Sequence, residues 1–127
     1  MTISMTSVLV DDQSKALAFY TDKLGFVKQL DVDAGGGIRW VTVVSPASPD
    51  GVQLVLEPEG SLGRSFKKGL HAAGIPATSF QTDDIESEYD RLTKLGVAFK
   101  SAPRQAGPVK IAIFDDTCGN FIQLHQR

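Results

Sequence analysis

The sequence has one cysteine, no excess of positive charge and no long run of apolar residues. Its 127 residues carry 13 Lys and Arg against 15 Asp and Glu, a formal net charge of −2. One cysteine excludes an internal disulfide and a cysteine-rich zinc site. A slightly negative chain has no field to attract nucleic acid or anionic lipid. No stretch approaches the ~20 apolar residues that span a bilayer, and the N-terminus lacks the pattern of a signal peptide. We therefore expect a cytoplasmic globular protein with no nucleic-acid partner and no membrane partner.

The first half of the chain predicts a strand, a helix and three further strands. Residues 3–10 are rich in β-branched side chains, which favour a strand. After them Asp12 is suited to cap a helix with apolar positions at helical spacing, and Gly25 is suited to end it. Three strands are predicted next, at 26–32, 38–44 and 52–57. The weakly amphipathic segment 61–74 then predicts a linker helix or turn.

The second half predicts the same order of elements. A strand at 77–84 precedes a helix at 85–96, which again ends in Leu-Gly. Strands are then predicted at 97–101, 109–115 and 120–126.

Three short matches place the two halves in register. Val10-Asp11-Asp12 recurs as Thr82-Asp83-Asp84 after 72 positions, Leu24-Gly25 as Leu95-Gly96 after 71, and Gln53-Leu54 as Gln123-Leu124 after 70. Because the matches fall at the same points of the same element order, duplication is the better interpretation. The predicted fold is α+β, with two tandem βαβββ modules at about 1–60 and 77–127 and a linker helix at 61–76. A single helix covers one face of each mixed sheet, so the uncovered faces are expected to line a concave cavity.

Two segments resemble the glyoxalase/bleomycin-resistance/dioxygenase group, the vicinal oxygen chelate superfamily. Residues 8–26 read VLVDDQSKALAFYTDKLGF, similar to the group's opening strand, helix and Leu-Gly-Phe stop. Residues 114–126 read FDDTCGNFIQLHQ, similar to its closing hairpin. The resemblance implies a single domain over 1–127 and a homodimer. It leaves the activity open, because the group spans lyases, isomerases, dioxygenases, thiol transferases and non-catalytic drug-binding proteins.

The resemblance also implies where a metal would bind. Enzymes of the group hold a divalent ion with four side chains, one on the first and one on the last strand of each module. The matching positions here are Met5, Gln53, Ala77 and Gln123. A thioether and a methyl group do not bind hard or borderline cations, and neutral amides are weak ligands beside carboxylates. We therefore predict no metal and no cofactor.

Strand alternation predicts which other side chains share the cavity face. If Gln53 and Gln123 face the cavity, Glu57 and His125 do too, and these two are weak candidates for an acid/base pair or a two-ligand remnant. A typical catalytic zinc site has three protein ligands, so a structural role is preferred for both. Trp40 is a candidate for stacking on a flat ligand, although it equally fits a plug of the sheet face or a dimer contact. The predicted ligand-binding residues are Met5, Ser7, Trp40, Thr42, Gln53, Glu57, Phe114, Phe121, Gln123 and His125.

The remaining residues with reactive side chains have structural interpretations. The pairs Asp11-Asp12 and Asp83-Asp84 each precede a helix, whose free N–H groups favour anions, so we interpret them as caps. Cys118 has no histidine near it in sequence and is interpreted as a turn residue. His71 is expected to face solvent.

Three functions remain open. The favoured one is metal-independent binding of a small apolar or aromatic molecule by a homodimer, similar to the bleomycin- and mitomycin-resistance proteins. The second is a metal-dependent lyase or isomerase resembling lactoylglutathione lyase, with displaced ligands such as Glu57 and His125. The third is a metal-free enzyme that uses Glu57 or His125 as a base.

Overall fold

The computed structural model describes residues 1–127 as two four-stranded sheets with three helices. The first module contains β1 (Met5–Val10), α1 (Gln13–Ala18, continued by a π-helical turn at Phe19–Lys23), β2 (Val27–Gly35), β3 (Ile38–Val44) and β4 (Gln53–Pro58). After α2 (Gly60–Ala72), the second module contains β5 (Thr78–Gln81), α3 (Ile85–Lys94), β6 (Arg104–Ala106), β7 (Val109–Asp115) and β8 (Phe121–Gln126). The predicted α+β fold with two βαβββ modules is confirmed. None of the helices combines the length and the hydropathy that crossing a bilayer requires.

The two sheets have the same topology. Their strand orders are β1-β4-β3-β2 and β5-β8-β7-β6, and in each sheet the first and last strands of the module pair in parallel while the others pair antiparallel. The strands β1 and β5 therefore each form a sheet edge. A strand–helix–strand unit followed by two hairpins produces this order in both modules.

The helix boundaries follow the predicted capping residues. The carboxylate of Asp12 accepts a hydrogen bond from Lys15 N at 2.9 Å, and the carboxylate of Asp84 accepts one from Ser87 N at 3.1 Å. Each satisfies an N–H group that has no partner inside its helix. Gly25 follows the first helical segment at a φ of 86°, a conformation that glycine adopts without steric cost. The interpretation of Asp12 and Asp84 as caps is confirmed.

The predicted strand at 97–101 is wrong. Two backbone hydrogen bonds join this segment to β7, from Lys100 N to Ile113 O at 2.8 Å and from Asp115 N to Ala98 O at 2.9 Å. They form only an isolated bridge between Phe99 and Phe114. Pro103 has no N–H to continue the ladder, and pairing resumes in β6, between the strands predicted at 97–101 and 109–115. The apolar pattern of the segment reflects burial of Val97 rather than a strand.

One hydrophobic core joins the two modules. It contains 17 buried residues, including Val8, Val41 and Leu56 of the first module and Ile85, Ile122 and Leu124 of the second. The strand residues among them lie on the helix-covered face of each sheet, and Ile85 packs against that face from α3. Burial of an aliphatic side chain of this size contributes roughly 1.5–3 kcal/mol, so the shared core is the main link between the modules. We call the opposite face of each sheet its open face.

A buried hydrogen-bond network adds a polar link between the modules. The carboxylate of Asp116, in the turn between β7 and β8, accepts from the hydroxyl of Tyr20 in α1 at 2.6 Å. It also accepts from the backbone N–H groups of Cys118 and Asn120 at 2.8 and 3.0 Å. The side chain of Asn120 donates to the carbonyl of Leu9 in β1 at 2.8 Å. Burial, with the nearby Asp116 carboxylate, raises the pKa of Tyr20 well above its usual value.

The linker helix α2 is fixed by a buried lysine. The ammonium group of Lys67 lies 2.5 Å from a carboxylate oxygen of Glu59 and donates to the carbonyl of Cys118 at 2.6 Å. The side chain of Lys67 is 6% exposed and that of Glu59 is 9% exposed. A β-carbon at Gly119 would lie 2.8 Å from the same ammonium nitrogen, so the turn needs glycine there.

Candidate functional site

The open face of the first module carries most of the predicted ligand-binding residues. Register places Met5 opposite Gln53 and Thr42 opposite Val55, so their side chains share one face. Trp40 lies one pleat further along β3 and is 38% exposed, while Met5 is 41% exposed. Ser7 and Glu57 lie on the same face of β1 and β4. This face is therefore mixed: the apolar side chains of Met5, Val55 and Trp40 lie beside the polar ones of Ser7, Thr42, Gln53 and Glu57.

A part-buried hydrogen bond lies at the centre of this face. The hydroxyl of Thr42 donates to the amide oxygen of Gln53 at 2.7 Å, and Thr42 is fully buried. The bond orients the amide of Gln53, which occupies one of the four positions where relatives are expected to have a metal ligand.

The open face of the second module is a row of hydrogen-bonded polar groups. Ser79 lies opposite Gln123 and Gln81 lies opposite His125 on the parallel pair β5 and β8. The Ser79 hydroxyl and His125 Nδ1 are 2.7 Å apart, and the amide nitrogen of Gln123 donates to the same hydroxyl at 3.2 Å. This face presents a hydroxyl, an amide and an imidazole where the first module presents an indole and a thioether.

Phe121 shares this second face, but other side chains cover its ring. The imidazole of His71 stacks on it with centroids 4.2 Å apart and an interplanar angle of 8°. The ammonium nitrogen of Lys100 lies 4.7 Å from the ring centroid, a cation–π contact. His71 also lies 3.7 Å from the carboxylate of Asp115. The expectation that His71 faces solvent therefore holds in part, because the ring stacks on Phe121 while 41% of the side chain remains exposed.

Phe114 does not share the open face. It is 1% exposed, lies opposite Ile122 in the register of β7 and β8, and packs on Phe19 in the core. The predicted alternation of β7 is wrong by one residue, so Ala112 also faces the helices. Both faces of β7 are largely apolar, with Ile111 and Ile113 on the open side. The sequence of such a strand does not show which alternate residues face the helices.

The four metal-ligand positions do not form a matched set. Met5 lies opposite Gln53, but Gln123 lies opposite Ser79 rather than Ala77. Ala77 precedes β5 and donates its backbone N–H to Phe121 O at 2.8 Å. The two amides have protein partners, and no three His, Cys, Asp or Glu side chains converge anywhere in the chain. These residues do not fit a divalent ion.

The weak acid/base candidates are not joined to one another. The partner of His125 is Ser79, and Glu57 forms no side-chain hydrogen bond and no ion pair. Cys118 is fully buried, and burial together with the Asp116 carboxylate raises the pKa of its thiol to about 12. A thiol with that pKa is protonated at neutral pH and is not a nucleophile. Its interpretation as a turn residue fits this environment.

Neither open face is enclosed within the single chain. Of the predicted ligand-binding residues, only Ser7 and Phe114 line cavities, and those cavities are bounded by core or linker residues. Trp40, Gln53 and Gln123 line none. The sequence leaves open whether the expected concave cavity forms within one chain or across a dimer, and the open faces do not form it within a single chain. A site on either face requires a second wall.

Sequence reasoning missed three residues that shape these surfaces. Lys67 and Asp116 are buried polar side chains, and a single sequence gives no sign of their burial. The stacking of His71 on Phe121 depends on how α2 crosses the second sheet. The Asp-Thr-Cys-Gly-Asn turn was a usable signal for Asp116, since such turns satisfy their own backbone N–H groups with the aspartate.

Two βαβββ modules with one shared core and two open faces define a duplicated-module protein. The chain belongs to the Glyoxalase/Bleomycin resistance protein/Dioxygenase superfamily, whose family model matches residues 2–124. The resemblance inferred from the two end segments is thereby confirmed.

The relatives of this chain include two proteins of known structure, one of which is an antibiotic binding protein. The uncharacterized protein YurT of Bacillus subtilis (strain 168) is 49% identical over the full length of both chains. The crystal structure of UcmS2 is 30% identical, with a TM-score of 0.85 over 98% of this chain and 97% of UcmS2. TnmS3, an antibiotic binding protein from Streptomyces sp. CB03234, is 28% identical, with a TM-score of 0.75 over 99% of this chain and 95% of its own.

Proposed function

We propose that the protein binds a small apolar or aromatic molecule, without a metal, on the open face that contains Trp40. The observation that carries this proposal is the exposed indole of Trp40 beside apolar side chains. On the same face, the positions that would hold metal ligands carry Met5 and Gln53. A flat ring system stacks on an indole and gains roughly 0.5–1.5 kcal/mol beyond the area it buries. TnmS3, a relative that is an antibiotic binding protein, supports the same class of function.

The second wall of the site is proposed to come from a second copy of the chain. Beside Trp40, the first module also exposes Val32, its register partner on β2, and Ile38 on β3, with exposures of 51% and 49%. Contiguous apolar patches on monomers are usually small, and larger ones mark interaction sites. A homodimer with two-fold symmetry would place the polar open face of one subunit against the open face that contains Trp40 on the other, and so form two equivalent grooves.

Each wall of such a groove would contact a different part of the ligand. The indole of Trp40 and the neighbouring side chain of Val32 would contact a flat apolar body. On the other wall, the amide of Gln123 and the imidazole of His125 would bind a hydroxyl or carbonyl group at its edge. The ligand class is therefore a neutral ring system with hydrogen-bonding groups on its periphery.

Intrinsic fluorescence provides a direct test, because Trp40 is the only tryptophan. We expect a library of polycyclic aromatic antibiotics to contain compounds that quench this fluorescence saturably, with a stoichiometry of one per subunit by calorimetry. Trp40→Ala should weaken binding at least about tenfold in the calorimeter, whereas the control Trp40→Phe, which keeps an aromatic ring, should lose less. Sedimentation at several concentrations should give a dimer. A monomer that binds none of these compounds would refute the proposal.

A metal-free enzyme is the second candidate, favoured by the 2.7 Å contact between the Ser79 hydroxyl and His125. A hydroxyl beside an imidazole is the arrangement in which histidine removes the proton of a nucleophile. Hydrolysis of p-nitrophenyl acetate should then fall to the background rate in both Ser79→Ala and His125→Ala. Equal rates in wild type and both variants would eliminate this role for the pair. A stoichiometric metal by elemental analysis, lost in Glu57→Ala or His125→Ala, would instead support the metal-dependent alternative.

A further inference from the structure

A second cleft lies between the modules on the side of the sheets that faces the core. It consists of two adjoining cavities of about 210 and 350 Å³, which share the residues Phe26, Ser45, Ser79 and Phe80. Phe80 lies opposite Leu124 in the sheet register, and Leu124 is a core residue. The cleft is thus separate from the open face of Trp40, which lines neither cavity.

Aromatic rings form the wall shared by the two cavities. Phe26 and Phe80 meet edge to face, with ring centroids 5.1 Å apart and an interplanar angle of 83°. The buried ring of Tyr20 stacks behind Phe26 at 6.4 Å and holds it in place. Phe26 and Phe80 remain half-buried, so each offers part of its ring to the cleft. Edge-to-face rings beside a cavity are suited to receive another aromatic ring.

The charge and polarity of the cleft favour a neutral occupant. No charged side chain lines the smaller cavity, and the larger one has only Glu88. Both carboxylate oxygens of Glu88 accept from the guanidinium of Arg91, each at 2.8 Å, so that charge is compensated. The hydroxyls of Ser45 and Thr78 line the smaller cavity without a side-chain hydrogen bond inside the chain. They are available to a ligand hydroxyl or carbonyl.

We infer that this cleft is a second binding site, for a neutral molecule of one or two aromatic rings with a hydroxyl or carbonyl group. A cavity of ~150 Å³ with aliphatic and aromatic walls is sufficient for benzene. Because the two cavities adjoin along Phe26 and Phe80, a molecule of one or two aromatic rings fits across them with one ring in the smaller cavity. The ligand contacts the rings of Phe26 and Phe80, and its hydroxyl or carbonyl group hydrogen-bonds to the hydroxyl of Ser45 or Thr78. This inference does not depend on the proposed function, because Trp40, Gln123 and His125 line neither cavity, although Ser79 of the second open face borders both.

A bromonaphthol is a suitable probe, since it is neutral, has two rings and one hydroxyl, and its bromine is located by anomalous scattering. In crystals soaked with it, we expect a bromine peak beside Phe26 and Phe80. By calorimetry, Thr6→Trp and Ser45→Trp, which fill the smaller cavity from β1 and from the loop after β3, should each weaken binding at least about tenfold. The control Leu62→Ala, at an exposed position of α2 that lines neither cavity, should leave the affinity unchanged within about twofold.

Two results would overturn the inference. One is a bromine peak beside Trp40 with none in the cleft, and the other is an affinity that falls in Trp40→Ala but not in the two cleft variants. Far-UV circular dichroism should show that the variants are folded. If Thr6→Trp does not fold, Ser45→Trp decides the question by itself, because Ser45 is exposed and lies outside the strands.

Discussion

The two modules share one scaffold but present different open faces. Their helix-covered faces are built alike, from Val8 and Leu56 in the first module and from Ile122 and Leu124 in the second. Their open faces differ, because the first exposes the indole of Trp40 and the second presents a hydrogen-bonded row around Ser79. The core of a duplicated unit is constrained by packing, whereas its open face is constrained only by what it binds. A site that used one face of each kind would have a wall with an exposed indole and a polar wall.

The loops that join the last two strands of each module differ even more. In the first module this loop, at 45–52, is exposed throughout. In the second module the corresponding turn, at 116–120, is largely buried and carries Asp116 and Asn120. Only the second turn reaches across to the other module, through Tyr20 and Leu9. The polar connection between the modules is therefore asymmetric. Substitutions in the turn at 116–120 are sufficient to remove it.

The largest expected effect comes from Asp116→Ala. Without the carboxylate, the hydroxyl of Tyr20 and the N–H groups of Cys118 and Asn120 lose their acceptor inside the core. Leaving several buried donors unsatisfied should lower the free energy of unfolding by about 3–5 kcal/mol. Urea denaturation measures this loss. The control Asp83→Ala removes an exposed carboxylate that forms no hydrogen bond, and it should change stability by less than about 0.5 kcal/mol. Similar losses in the two variants would show that the turn does not connect the modules.

The next effect concerns the linker between the modules. Lys67→Met keeps the apolar stem of the side chain but leaves the Cys118 carbonyl without its donor and Glu59 with Arg64 as its only cation. We expect a loss of about 2–3 kcal/mol in the same denaturation experiment. Lys68→Met, at the neighbouring exposed position, is the matched control and should be nearly neutral. A loss as small as that of the control would mean that α2 is not held by Lys67.

The stability of the same variant should also depend differently on pH. The hydrogen bond from Lys67, then that from Arg64, lowers the pKa of Glu59 below its ordinary value of 4.5. A carboxyl with a lowered folded pKa contributes stability above its unfolded pKa, and this contribution is lost as the pH falls through the folded value. The difference in stability between wild type and Lys67→Met should therefore be largest near neutral pH and should shrink below pH 4.5. A difference that stays constant with pH would contradict the role of Glu59.

Sequence alone was sufficient for the parts of the fold that depend on local patterns. Asp12 and Asp84 were identifiable as caps because capping depends on a residue type at one position. The duplication was visible because short matches, such as Leu24-Gly25 with Leu95-Gly96, fall at the same points of both modules. The phase of β7 was not readable, since its two faces are both apolar and only the register with β8 distinguishes them. Pairing of Gln123 with Ser79 rather than Ala77 likewise depends on how two distant strands align.

A smaller effect is expected at the centre of the first open face. Thr42→Val keeps the shape of a fully buried side chain but removes the hydroxyl that donates to Gln53 at 2.7 Å. The Gln53 oxygen is only half-buried, so water replaces part of the interaction, and the loss should be about 1 kcal/mol. Equilibrium denaturation detects it, with Thr93→Val on the exposed side of α3 as the control. A stabilised Thr42→Val variant would mean that this hydrogen bond does not contribute to the fold.

The smallest effect should come from the equivalent change on the second open face. It tests whether that face is exposed to water or covered by a second subunit. Ser79→Ala removes the hydroxyl shared by His125 and Gln123, but Ser79 is exposed and both partners are half-buried. Water can satisfy all three groups, so unfolding at low protein concentration should change by less than about 0.5 kcal/mol. The comparison with Thr42→Val then separates a part-buried polar pair from an exposed one. If the polar face is covered by a second subunit, the loss should grow with protein concentration, because dissociation then contributes to the unfolding free energy. A large loss that does not depend on concentration would contradict both descriptions of this face.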